Sequence, residues 1–213
     1  MAPTDDPYSV GPDTEYMPSP WPEFDEHLHL RPGHLIGIGA LPDGREANFG
    51  HDLAVHTAAQ GVRTILWAPL LPPRNPLPNL HVQRRDPCPA RIESVLESFA
   101  PTRQPVELVV IDHFGLITAD LDGEPVYQPE QAADLGRRLK MLAATAAIVV
   151  MAPLTPRVDD CDPLHLRNLG LAAELEYDAD TLLLLNATAP HSVDVLIAKD
   201  RHSYAPRKVN CTW

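Results

Sequence analysis

Six short apolar runs limit what this chain can fold into. They are His34–Gly39 (HLIGIG), Thr64–Ala68 (TILWA), Glu107–Asp112 (ELVVID), Ala147–Met151 (AIVVM), Thr181–Leu185 (TLLLL) and Val193–Ala198 (VDVLIA). Each is too short for a helix and dense enough in Val, Ile and Leu to read as a buried strand. Between them lie stretches with helical spacing of apolar residues. Glu46–Gln60 carries Phe49, Leu53 and Val55, and Ala90–Phe99 carries Ile92, Val95, Leu96 and Phe99. A third helix is expected over Pro129–Ala144, with Pro at its first turn, where no amide donor is needed. Pro69–Pro89 holds seven prolines and reads as a loop. Strands alternating with helices favour parallel pairing and a sheet covered on both faces. The expected class is therefore α/β, with a mostly parallel twisted sheet and helices on both faces. Ligands of such sheets sit at the carboxyl ends of the strands.

A chain of 213 residues suits one domain, and 44% hydrophobic residues excludes a disordered middle. Residues 1–20 contain Pro3, Pro7, Pro12, Pro18 and Pro20 among acids and small residues. They read as an extended, disordered tail, which leaves 21–213 as the folded domain. No apolar run approaches the roughly 18 residues that span a bilayer. The start, Met1-Ala-Pro-Thr-Asp-Asp, lacks signal-peptide character, so a cytoplasmic protein without membrane contact is expected. Cys88, Cys161 and Cys211 are odd in number and far apart, which points to reduced thiols. Asp25, His27 and His29 read as solvated surface, not as a metal site, because their spacing supplies no further ligand. The net charge of −12 means that DNA binding would need a local basic patch; of 17 basic residues 14 are Arg. Abundant Arg, Ala and Pro with little Lys points to a GC-rich bacterial genome.

Gly39-Ala-Leu-Pro-Asp-Gly44-Arg45-Glu46 follows a strand and opens a helix, with the G-x-x-x-x-G spacing of a phosphate-binding loop. Gly39, Gly44, Arg45 and Glu46 are the candidate nucleotide-binding residues. Leu108-Val-Val-Ile-Asp112 is an apolar strand ending in an acid, similar to a Walker B strand, so Asp112 is the candidate magnesium-orienting and catalytic residue. Ile197-Ala-Lys199-Asp-Arg201 places two cations after a late strand. These three places occur in the order found in DnaB-type replicative helicases, and the last resembles that family's trans-acting Lys-x-Arg pair. Further matches lie in Trp21–Asp25 with Leu30–Leu35, in Asp134–Ala143, and in Glu176-Tyr-Asp178-Ala-Asp180, which is similar to the family's Glu-Gln-Asp-Ala-Asp. The resemblance covers about residues 20–213. It implies a RecA-like P-loop core, ATP and Mg2+ as cofactors, and an oligomer, of like or unlike chains, joined through the Lys199/Arg201 face. Both residues would reach a neighbouring subunit's γ-phosphate.

The departures from that family concentrate on catalysis. Arg45 stands where the loop Lys belongs, and a planar guanidinium does not substitute for a compact ammonium. Glu46 replaces the magnesium-holding Ser or Thr. A carboxylate about 4 Å from a phosphate charge costs on the order of 4 kcal/mol at an effective dielectric of 20, roughly a thousandfold in affinity. Glu46 escapes that penalty if it holds magnesium directly or lies on the outer side of its helix. The family's catalytic Glu falls on or beside Leu70, with no acid near, and its γ-phosphate-sensing Gln falls on Pro153. The expected DNA loops are acidic: residues 113–128 carry Asp120, Asp122 and Glu124 without Lys or Arg, and residues 152–165 set Arg157 against Asp159, Asp160 and Asp162. DNA binding is therefore doubtful. The expectation is a DnaB-like helicase core with a degenerate ATP site, weak or inactive in catalysis, acting by nucleotide and protein binding. The alternatives are an active ATP-dependent DNA helicase of replication and a stand-alone RecA-like regulatory module.

Overall fold

The computed structural model describes residues 16–28, 30–41, 46–68, 77–102, 104–121, 123–155, 164–189, 192–202 and 205–212, with the side chains of 24, 26, 46–48, 211 and 212 left aside. Among the described residues there are four α-helices: α1 (Pro22–Leu28), α2 (Glu46–Ala59), α3 (Pro89–Phe99) and α4 (Pro129–Leu142). The strands are β1 (Leu35–Ala40), β2 (Thr64–Trp67), β3 (Leu80–Gln83), β4 (Leu108–Ile111), β5 (Ala147–Pro153), β6 (Thr181–Ala189), β7 (Ser192–Asp200) and β8 (Arg207–Thr212). They form one sheet in the order β3-β2-β4-β5-β1-β6-β7-β8. The first six strands pair in parallel, and β7 and β8 complete the sheet as antiparallel strands.

The central strands are apolar on both sides because both faces are covered, which explains their continuous runs. On one face, Phe49, Leu53 and Ala54 of α2 pack with Ile36, Ile38, Val110 and Val149. On the other, Leu135 and Leu139 of α4 and Ile92 of α3 pack with Leu35, Val109, Ile111 and Ile148. Alternate residues of one strand thus enter opposite cores, as the period of two requires. Full burial of each such side chain contributes about 1.5–3 kcal/mol relative to exposure. The expected α/β class with a mostly parallel sheet and helices on both faces is the observed one.

Several local expectations need correction. The proline-rich stretch 69–89, read as a loop, contains β3; its strand character depends on pairing with β2, from Thr64↔Leu80 to Trp67↔Gln83, and is not visible in local propensity. The direction of the run Val193–Ala198 was not given by the pattern. It belongs to β7, which returns directly from β6 as a hairpin, with Leu184 opposite Leu196. Strand β8, helix α1 and the 3-10 segment Leu166–Glu176 went unread in the sequence. Of the expected tail, residues 1–15 lie outside the described residues, whereas Met17 and Ser19 are buried and the Met17 amide donates to the Leu30 carbonyl at 2.8 Å.

Candidate functional site at the carboxyl edge of the sheet

The register brings the exits of β1 and β4 to one edge. Strand β5 separates β1 from β4, with Ala40 opposite Pro153 and Ile111 opposite Val150. Asp112, immediately after β4, therefore sits one strand away from the point where the chain leaves β1 toward α2. Its amide donates to the Trp67 carbonyl at 2.8 Å, which holds the β4 exit against the end of β2. The Asp112 residue is partly buried, and the following 3-10 turn Phe114–Leu116 is capped by the His113 ring, which accepts from the Gly115 amide at 3.2 Å.

Of the predicted loop residues, Gly44 and Arg45 lie outside the described residues, and Glu46 is described only as the first residue of α2. Gly39 is described, and it has a packing reason to be glycine. A Cβ there would lie 2.6 Å from a Leu169 methyl, 2.9 Å from Leu184 and 3.0 Å from Leu154. Gly50, one turn into α2, brings that helix close to the sheet; a Cβ would meet Met151 at 3.0 Å and Val110 at 3.2 Å. Gly50 thus brings α2 against β4 and β5.

Lys199 and Arg201 lie at the opposite end. Because β7 runs antiparallel to β6, its last residues pair with the first of β6, Asp200 with Thr181. From Leu35 to Ala40 β1 rises roughly 17 Å, so this amino edge is far from the loop after β1. Lys199 Nζ donates to the carbonyls of Glu176 and, at 3.3 Å, Tyr177. Arg201 reaches the Asp178 carbonyl at 3.4 Å and the Asp180 carboxylate at 3.4 Å. Both turn toward residues 176–180, while Asp200 between them points into the body of the protein and pairs with Arg207 at 3.7 Å. Burial, and then the neighbouring Arg201, lowers the Lys199 ammonium from its usual range.

Asp180 organises this edge. Its Oδ2 accepts the Leu35 amide at 2.8 Å and the Lys140 ammonium at 2.6 Å. Burial alone would raise its pKa; the bonds from Lys140 and Leu35 outweigh that and hold the carboxyl below its ordinary value. Lys140 also donates to the Gly33 carbonyl at 2.7 Å, tying α4 to the start of β1. His34 stacks on His202 with ring centroids 4.8 Å apart, and the Arg31 Nε donates to its Nε2 at 2.8 Å. Burial, and then Arg31, lowers the His34 pKa to about 4.

No family model matches the chain, and no curated protein matches its sequence. Solved structures do match. The ATPase domain of one DnaB-like replicative helicase superposes with a TM-score of 0.75 at 16% identity, over 92% of this chain and 87% of that one. A second DnaB-like replicative helicase, solved in a study of its interactions with primase, superposes with a TM-score of 0.76 at 16% identity. That match covers 95% of this chain and 62% of the helicase. This chain has the fold of DnaB-like helicase ATPase domains. The exposed Pro153 lies directly opposite Ala40, at the edge where the chain leaves β1. Leu70 and residues 156–163, with Arg157, Asp159, Asp160 and Asp162, lie outside the described residues, as does Asp122. In the loop after β4, Asp120 and Glu124 are at least partly exposed.

Three residues missed in the sequence also come to this end of the sheet. Arg84 and Arg85 follow β3, and Arg91 lies in the first turn of α3; with Thr118, Leu121 and Gly123 they line a pocket of about 240 Å³. Arg84-Arg85 was legible as a basic pair, but the loop it faces lies more than thirty residues away in sequence. Among the described residues no helix is long and apolar enough to cross a membrane.

Proposed function

We propose that this protein is a helicase-type ATPase core with a degraded nucleotide site, weak or inactive in hydrolysis, that acts through nucleotide and protein contacts. The observation that carries this reading is the composition of the carboxyl edge. The fold seats Asp112 one strand from the loop after β1, where it would orient a magnesium ion held with ATP. The position paired with Ala40 is Pro153, which has no side-chain donor or acceptor for a γ-phosphate. Arg45 and Glu46 replace the Lys and hydroxyl of a working loop, and no acid follows β2 near Leu70 to activate water. Gly44 and Arg45 remain as the candidate phosphate contacts, since Gly39 is buried within β1, and Asp112 remains as the magnesium-orienting acid. Nucleotide titration with and without magnesium, together with steady-state hydrolysis, tests the reading. Weak binding and no turnover are expected; magnesium-dependent turnover above about 1 s⁻¹ that Asp112→Ala abolishes would overturn it.

The placement of Lys199 and Arg201 supports a second element of this proposal. They sit at the amino edge, away from this chain's own loop, so a nucleotide they touch belongs to another chain. An arginine supplied in trans adds several powers of ten to phosphoryl transfer in enzymes that use one. Mixing the protein with an active DnaB-type helicase is expected to stimulate hydrolysis, and Arg201→Ala is expected to remove the stimulation. Absence of any association under all nucleotide conditions would reduce the pair to its contacts with residues 176–180.

A further inference from the structure

We infer that the pocket formed by Arg84, Arg85, Arg91 and Thr118 is an anion site that takes a compact phosphoryl group. The chain as a whole is strongly acidic, with 29 carboxylates against 17 basic residues, yet three arginines and one carboxylate, Asp86, line this small pocket. Among the described residues no carboxylate pairs with any of them. Arg84 and Arg85 are exposed, and no described partner takes their side chains by a hydrogen bond.

The walls of the pocket are braced, which lowers the cost of ordering a ligand there. Arg91 donates to the Asp86 carbonyl and to the Leu121 carbonyl, the latter at 3.1 Å, and so clamps the segment after β3 to the loop after β4. The Thr118 amide donates to the Pro87 carbonyl at 2.9 Å. The Trp67 indole donates to the Arg85 carbonyl at 3.0 Å, which fixes the backbone from which Arg85 projects. Arg91 is thus a structural clamp, and Arg84 and Arg85 are the two forks left to meet a ligand. Two guanidinium groups match the paired oxygens of a phosphoryl group bidentately.

The surroundings favour a compact ligand over a nucleic-acid strand. Asp86 lines the same pocket, and Asp120 and Glu124 stand on the neighbouring loop. A continuous phosphate backbone needs a basic track, and these carboxylates interrupt one. None of the lining residues is Asp112 or belongs to the segment Gly39–Glu46, so this site stands independently of the nucleotide site proposed above.

The test uses inorganic pyrophosphate without magnesium, followed through the indole N–H resonance of Trp67, assigned with Trp67→Phe. A saturable shift of that resonance is expected. The double variant Arg84→Ala/Arg85→Ala should weaken the binding at least tenfold while the indole resonance of the buried Trp21 stays in place, which reports an intact fold. Arg45→Ala should leave the affinity unchanged, which separates this pocket from the loop after β1. No movement of Trp67, or a shift of equal affinity in the double variant, would overturn the site. Tighter binding of a single-stranded oligonucleotide than of pyrophosphate at Trp67 would overturn the compact ligand.

Discussion

Asp180→Ala should be among the most damaging single substitutions at the amino edge of the sheet. The side chain is 6% exposed and one of its oxygens serves two donors, the Leu35 amide at 2.8 Å and Lys140 Nζ at 2.6 Å. Leu35 is fully buried and opens the central strand β1, so its N–H would lose its acceptor without access to water. An unsatisfied buried donor costs about 1–3 kcal/mol. Breaking a fully buried ion pair costs about 3–5 kcal/mol, but the Lys140 side chain is 28% exposed and its ammonium keeps the Gly33 carbonyl, so roughly 1 kcal/mol is the fitting share. The Arg201 contact is longer and that side chain is 45% exposed, so its contribution is taken as small. The sum is a loss of roughly 2–4 kcal/mol. Asp180→Asn keeps an oxygen for Leu35 and should lose roughly half as much. Urea unfolding followed by far-UV circular dichroism, with unchanged m-values, measures both. A loss below about 1 kcal/mol for the alanine variant would refute the reasoning, because it would mean that the Leu35 amide finds another partner at no cost.

Gly39→Ala should lose about 1–3 kcal/mol in the same assay, since its Cβ would press on three leucine methyls at once, and an unchanged midpoint would show that those side chains repack freely. Stability should fall as pH drops from about 6.5 toward 4, because the unfolded chain protonates His34 at its ordinary pKa while the folded chain holds it neutral down to about 4. The limit of that loss is roughly 3 kcal/mol, and His34→Asn should flatten the slope in a pH series of urea midpoints. Purified protein should bind single-stranded DNA poorly at physiological salt; sub-micromolar affinity with a steep salt dependence would place a nucleic-acid surface where the acidic loop after β4 argues against one.

The amino-acid sequence by itself determined the architecture of the central sheet. Runs such as Leu108–Ile111 and Ala147–Met151 are apolar at every position, and that pattern suits a strand buried on both faces, whatever lies beside it. Asp112 was equally legible, because an acid that ends such a run must emerge at the sheet edge. Strand β3 was not, since all four of its residues are only partly buried and its strand form comes from pairing with β2. The direction of β7 was not legible either: a short run carries no record of whether it pairs parallel or antiparallel, and the short return from β6 decides it. That reversal sends Lys199 and Arg201 to the amino edge, where they meet residues 176–180. Tertiary structure alone brought Arg84, Arg85 and Arg91 to the loop after β4, because an approach between segments some thirty residues apart is a property of folded distance. Local pattern specifies which residues are buried; which exposed residues become neighbours is set by the order of strands in the sheet.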